Sequence, residues 1–420
     1  MQQLMPWLVV SLILGSFLGV PLLIYRFRWV AARSFAETWR DALAPFASGD
    51  ARAHGGAAAG SIEYSPGRPF IAYPHVNGSV VVHGVRVQVN CTSYVHRSRN
   101  NSYLVTSSRV VATLQAPLDL AMQIRRGASG PAPTYRNTDA LSGWLMRMSD
   151  SIQYGARGVA IGDPELERHL YLWAREPARL NALLTWPIRR ALLAANGRLE
   201  LNVDDAQVVF ASTERATHTF ATWMIHDAAW LANAITHAAQ HVPPSAWALH
   251  YRPLFEHAAK ALGFRYTLTP AMLAGQLGGL QVWCWLVMRR TDESPGVRLQ
   301  VAFAEPLGLG LKLRPAQDGS FGLLRPRDVQ IGDRLLDDKL DIHADDLIGV
   351  QVAFDQRARA LLHHLRDRGR VYIDDQAVAL ESQGSLDPRD LVPLLQRARD
   401  LAALLGEGAR VRRTGVVRAG

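Results

Sequence analysis

The sequence predicts an α+β protein: an N-terminal transmembrane helix followed by two internally homologous units, each an antiparallel sheet with covering helices. Three observations carry this expectation. Val159-Ala160-Ile161-Gly162-Asp163 returns as Val329-Gln330-Ile331-Gly332-Asp333, and Leu166, Leu170 and Leu172 return at the same spacing as Leu336, Leu340 and Ile342. Strictly alternating segments such as Val85-Arg-Val87-Gln-Val89-Asn-Cys91 and Val297-Arg-Leu299-Gln-Val301-Ala-Phe303 have the period of half-buried strands. The stretch from Trp7 to Tyr25 carries no charged residue.

The elements follow in order. Residues 1–28 form a single membrane anchor, because nineteen helical residues cover about 28 Å, close to the hydrocarbon core of a bilayer. Trp7, Tyr25 and Trp29 sit where amphipathic rings favour the interfaces. Arg26, Arg28, Arg33 and Arg40 follow the span, so the positive-inside rule directs the bulk of the chain to the cytoplasmic side of a bacterial inner membrane. Repeat unit 1 occupies 33–241. It opens on an amphipathic helix from Ser34 to Phe46, followed by a flexible Gly/Ala-rich insertion near 47–60. Its strands are joined by polar turns at Arg97–Ser102 and Gly127–Asn137, and it carries an extra segment, Ala140–Ile152, that the second unit lacks. Val242-Pro243-Pro244 marks the boundary.

Repeat unit 2 occupies 245–405 and opens on the matching helix, Tyr251–Gly263, ended by its glycine. A turn at Thr291–Gly296 joins two of its strands. The block Glu305–Arg314 matches Ala116–Arg125, and its Leu307, Leu309, Leu311 and Leu313 predict a further strand. After the Ile-Gly-Asp element each unit is expected to give a strand ending at Leu172 or Ile342, a helix ending at Gly197 or Gly369, and a hairpin turning at Asp204-Asp205 or Asp374-Asp375. Matching Asn196–Asp205 to Arg368–Asp375 calls for a two-residue insertion in the first copy. A last helix closes each unit, Thr213–Gln240 in the first and Pro388–Leu405 in the second, the latter with Asp387 as N-cap and proline at its first position. Residues 406–420 read as a basic, disordered tail.

Composition narrows the function classes. The net charge is +9 and the pI near 9.9, yet Lys260, Lys312 and Lys339 are the only lysines, a preference for arginine that fits a GC-rich bacterial genome and weakens any inference from basicity to nucleic acid. Cys91 and Cys284 lie in apolar alternations and point into cores rather than to a disulfide. Asn77, Asn90 and Asn100 match the glycosylation pattern, which has meaning only on a secretory path. No phosphate loop, dinucleotide fingerprint, nucleophile elbow or zinc-protease helix occurs.

Four features remain as candidates. Asp163 and Asp333 recur behind a glycine, and Pro164 after the first marks it as a helix cap rather than an acid or base. The Asp-Asp pairs fit turns. His237 and His241 stand one helical turn apart with His226 further up the same helix, but no third ligand accompanies them; His363 and His364 are adjacent and diverge. Trp283 and Trp285 occupy the strand face opposite Val282 and Cys284, where helices cover them or they form an aromatic platform for a partner.

The sequence therefore supports a membrane-anchored, cytoplasm-facing binding or scaffolding module with a protein partner, without an assigned catalytic residue, cofactor or metal site. The alternatives are an enzyme with a site between the repeats, using Asp163 or Asp333 with arginines, and an arginine-rich surface that binds anionic lipid of the inner leaflet or nucleic acid.

Overall fold

The structure is a computed structural model that describes residues 5–47, 60–67, 72–97, 102–126, 158–214, 216–287, 295–316, 329–382, 386–387 and 389–414, with side chains from residue 22 onward. The chain is an α+β protein with two compact units: residues 1–115 with 122–238, and residues 116–121 with 239–420. Each contains an eight-stranded antiparallel sheet.

In the first unit, β1 (Ser61–Ser65), β2 (His75–Val82), β3 (Val85–Arg97), β4 (Ser102–Thr113), β5 (Gln123–Arg126), β6 (Leu170–Trp173), β7 (Glu200–Asp204) and β8 (Gln207–Ser212) lie in the order β1-β2-β3-β4-β8-β7-β5-β6. In the second, β9 (Arg265–Leu268), β10 (Ala271–Leu277), β11 (Leu280–Val287), β12 (Gly296–Ala302), β13 (Lys312–Pro315), β14 (Leu340–His343), β15 (Gly369–Asp374) and β16 (Ala377–Ser382) give β14-β13-β15-β16-β12-β11-β10-β9. Read from opposite ends the two orders are the same, as expected for duplicated units. The register also removes the expected insertion. Leu201 faces Phe210 and Val371 faces Leu380, so the last hairpins correspond at the same spacing as the Ile-Gly-Asp elements.

The helices cover one face of each sheet. Helix α1 (Met5–Ala47) takes in the segment expected as a separate helix from Ser34, and it buries Phe35, Trp39 and Leu43 in the first unit. Next come α2 (Pro164–His169), α3 (Pro177–Leu183), α4 (Trp186–Asn196) and α5 (His218–Ala239), whose Met224, Ala228, Leu231 and Ile235 are buried at helical spacing. The second unit has α6 (Ala246–Leu262), α7 (Arg334–Asp337), α8 (Leu347–Ala353), α9 (Gln356–Arg366) and α10 (Leu391–Thr414). Ser245 caps α6 through the Ala248 N–H and also donates to Asp119 at 2.5 Å, both groups being buried, which ties the 116–121 segment into the second core. Cys91 and Cys284 are buried and free, as their alternation predicts, and burial pushes both thiols well up.

Four expectations need correction. Leu307, Leu309, Leu311 and Leu313 are all buried, but only Lys312–Pro315 is strand, because Gly308 and Gly310 take φ of +67° and +64°, outside the β region. The strands ending at Leu172 and Ile342 are each preceded by a short helix, and two short helices replace the single one expected before Gly197 and Gly369. The tail from residue 406 continues α10 as helix to Thr414. Gly408 has no side chain to hold α10 off the backbone of Ala353, Ala409 is buried, and Arg412 and Arg413 pair with Asp346 and Glu305. Asp387 accepts from the Arg389 N–H, but α10 begins at Leu391.

The expected span from Trp7 to Tyr25 is without structural support: among the described residues no helix is long and apolar enough to cross a membrane. Side chains up to residue 21, the 48–59 insertion, most of 97–102, 127–157 and most of 291–296 fall outside the described residues.

Candidate binding face

Asp163 and Asp333 occupy the same structural position. Gly162 and Gly332 have φ of +80° and +78°, which a side chain would disfavour, and this turns the chain so that each aspartate caps the following helix. Asp163 accepts from the Leu166 N–H at 3.1 Å, and Asp333 from Leu335 and Leu336 at 3.1 and 3.3 Å. The capping is reciprocal: Glu167 accepts from the N–H groups of Ile161, Gly162 and Asp163, and Asp337 from that of Ile331.

The copies differ in the side chain that faces the cap. Arg189 reaches Asp163 at 2.7 Å, whereas in the second unit Arg359 bonds the Gly332 carbonyl and His363 takes Asp333 at 2.8 Å. Burial pushes both carboxyls up. The backbone N–H bonds and Arg189 in one case, and His363 with the backbone N–H bonds in the other, outweigh it and hold both below the usual carboxylate range. Both aspartates act as helix N-caps. Because their folded values are depressed, the stability they contribute is complete above the unfolded value near about 4 and is lost as pH falls through the folded value. Asp163→Asn is expected to flatten the acid limb of a stability–pH curve measured by urea unfolding. An unchanged limb would separate Asp163 from acid stability.

The paired aspartates divide their work. Asp204 and Asp374 accept from the N–H groups two and three residues on and form the hairpin turns. Asp375 instead accepts from three successive N–H groups, those of Leu309, Gly310 and Leu311, at 2.9–3.2 Å, and Asp205 accepts from Met122 at 3.0 Å. A cavity of about 610 Å³ opens beside the second hairpin, with Lys312, His343, Asp345 and both aspartates in its wall, but these two carboxylates are already engaged by backbone N–H groups.

The histidines separate. His241 lies beyond the end of α5 and so does not share a helical face with His237, and both are exposed. His226 instead meets His83 of the β2–β3 turn, with ring nitrogens 3.3 Å apart and Phe46 edge-on at 5.1 Å. His363 is bound to Asp333, and His364 lies against Arg397. Among the described residues no group of three or more His, Cys, Asp or Glu could hold a metal ion.

The tryptophans lead to the most distinctive surface. Val282, Cys284 and Leu286 of β11 join the helix-covered core, while Trp283 and Trp285 stay outside it on the other face. The register there places Met272, Trp285, Arg298, Glu381 and Arg370 in one cross-strand row, and Ala274, Trp283, Gln300, Ala379 and Tyr372 in the next. The Arg298 guanidinium lies 5.9 Å from the Trp285 ring and 5.3 Å from the Tyr372 ring, within cation–π range of both. Its ion pair with Glu381 is long, 3.8 Å, and its Nε is buried without a partner among the described residues.

The matching row of the first sheet is Asn77, Asn90, Arg109, Ala211 and Glu200. There Asn90 donates to Asn77 at 2.6 Å and Arg109 is exposed. The duplicated arginine has thus been enclosed in one unit only. Sequence reading found Trp283 and Trp285 but missed Arg298, Tyr372 and Glu381, because they lie on separate strands whose neighbours only the register reveals. The available signal was divergence between the copies, Glu381 standing against Ala211 and Tyr372 against Asn202.

No protein-family model and no curated protein matches the chain. The chain has a distant likeness to a solved structure, the crystal structure of the mycobacterial trehalose monomycolate transport factor A, TtfA. It covers 38% of this chain and 94% of that one at 14% identity, with a TM-score of 0.26, a likeness too weak to bear on fold or function.

Proposed function

We propose that this protein is a membrane-anchored binding or scaffolding module whose second sheet engages a protein partner through the face turned away from its helices. The observation that supports this best is the enclosure of Arg298 between Trp285 and Tyr372, on a face whose counterpart in the first unit is polar. Tryptophan, tyrosine, methionine and arginine are enriched at protein–protein interfaces relative to other surface. The anchor rests on the sequence alone: an uncharged segment from Trp7 to Tyr25, followed by four arginines that place the two units on the cytoplasmic side.

A photoreactive residue in place of Gln300, beside Trp283, tests the reading in cells, with the same residue in place of Gln88 on the first sheet as control. A discrete protein adduct in the membrane fraction at Gln300 alone is the expected result. Absence of an adduct, or the same adduct at both sites, would refute it. An export-dependent reporter fused after Gly420 is expected to stay inactive; activity would reverse the topology.

A further inference from the structure

The environment of Arg298 specifies what the partner brings. A guanidinium has five N–H donors, and at this one the Trp285 and Tyr372 rings stand 5.9 and 5.3 Å away, within cation–π range. Its nearest acid, Glu381, stands beyond hydrogen-bond distance at 3.8 Å, and no described residue accepts a hydrogen bond from it. The side chain is 33% exposed, so part of it remains open to solvent beside the two rings. Arg370 follows Glu381 in the same row, which adds a second cation, and Met272, Trp283 and Trp285 supply apolar surface on the two strands to the other side of Arg298.

We infer that Arg298 is an anion receptor, and that this face binds an acidic segment of the partner protein by seating one of its carboxylates on the exposed part of the guanidinium. A carboxylate is the natural complement of that fork, accepting two parallel N–H bonds. The aromatic clamp reduces the freedom that a long arginine side chain otherwise loses on binding. Arg109 occupies the same position in the first sheet, but with Asn90 in place of Trp285 and Asn202 in place of Tyr372 it lacks the clamp. The inference rests on the proposed partner-binding role of this face and adds the chemistry of the ligand to it.

The test uses the full chain in detergent and a rhodamine-labelled peptide of alternating glutamate and phenylalanine, followed by fluorescence anisotropy. Binding is expected to weaken about tenfold or more in Arg298→Lys, which keeps the charge and loses the fork, and likewise in Trp285→Asn, which installs the residue of the first unit. Arg109→Lys is expected to bind as the parent does. A glutamine-for-glutamate peptide is expected not to bind. Lack of binding at millimolar acidic peptide, equal binding by Arg298→Lys, or selective binding of phosphatidylglycerol vesicles in place of the peptide would each overturn the inference. Photoadducts at Gln300 in cells together with a failed peptide experiment would leave the partner-binding role standing and remove the acidic ligand alone.

Discussion

Replacing Asp375 by alanine is expected to destabilise the second unit by about 3 kcal/mol. The carboxylate accepts from the N–H groups of Leu309, Gly310 and Leu311, whose side chains on either side of the glycine are buried. Hydrogen bonds to a charged group are each worth about 1.5–3 kcal/mol, and removing their acceptor leaves donors in a partly buried loop with nothing in its place. The positive φ of Gly308 and Gly310 exists to turn these N–H groups toward one point, so the loop loses its reason for that shape along with the carboxylate. Hydrogen exchange at Leu309–Leu311, read beside a denaturant titration, checks this. Unchanged protection of these amides in the Asp375→Ala protein would rule out the role assigned to the carboxylate.

Trp39→Ala is expected to cost about 3–5 kcal/mol in the first unit, the range for removing a large aromatic side chain from a packed core. Trp39 is fully buried on α1 beside Leu43, also fully buried. Its Nε1 finds no acceptor among the described residues, so the indole contributes bulk without a compensating hydrogen bond. Trp39→Phe, which deletes the unsatisfied N–H and retains most of the ring, is therefore expected to cost much less, under about 1.5 kcal/mol. Urea unfolding of the three proteins separates the cases. Equal losses for Phe and Ala would refute a contribution that scales with the buried ring volume.

The duplication, the caps and the core alternations were legible in the residues. Each is legible in the chain itself: a repeated spacing, a proline directly after an aspartate, or a period of two that commits one strand face to a core. Pro164 after Asp163 marks the first as a cap and the repeat extends that reading to Asp333, and both copies act that way. Cys91 and Cys284 needed only their alternation.

Other features depend on what the fold brings together. The Leu307–Leu313 alternation satisfies the burial pattern of a strand, yet the glycines between the leucines turn toward Asp375, a residue far along the chain. The sequence predicts a helix end at Leu405, and Gly408 instead lets the helix run on by permitting a close approach to Ala353 on another helix. Arg298, Trp285, Tyr372 and Glu381 come from four strands, and only register decides which side chains stand side by side. A strand fixes by itself which residues share a face, because that follows from its own backbone pleat. The neighbours across the sheet are fixed by hydrogen bonds between distant segments, so the sequence by itself determined the two faces of each strand and the repeated unit, while the tertiary structure alone decided that one duplicated arginine became enclosed.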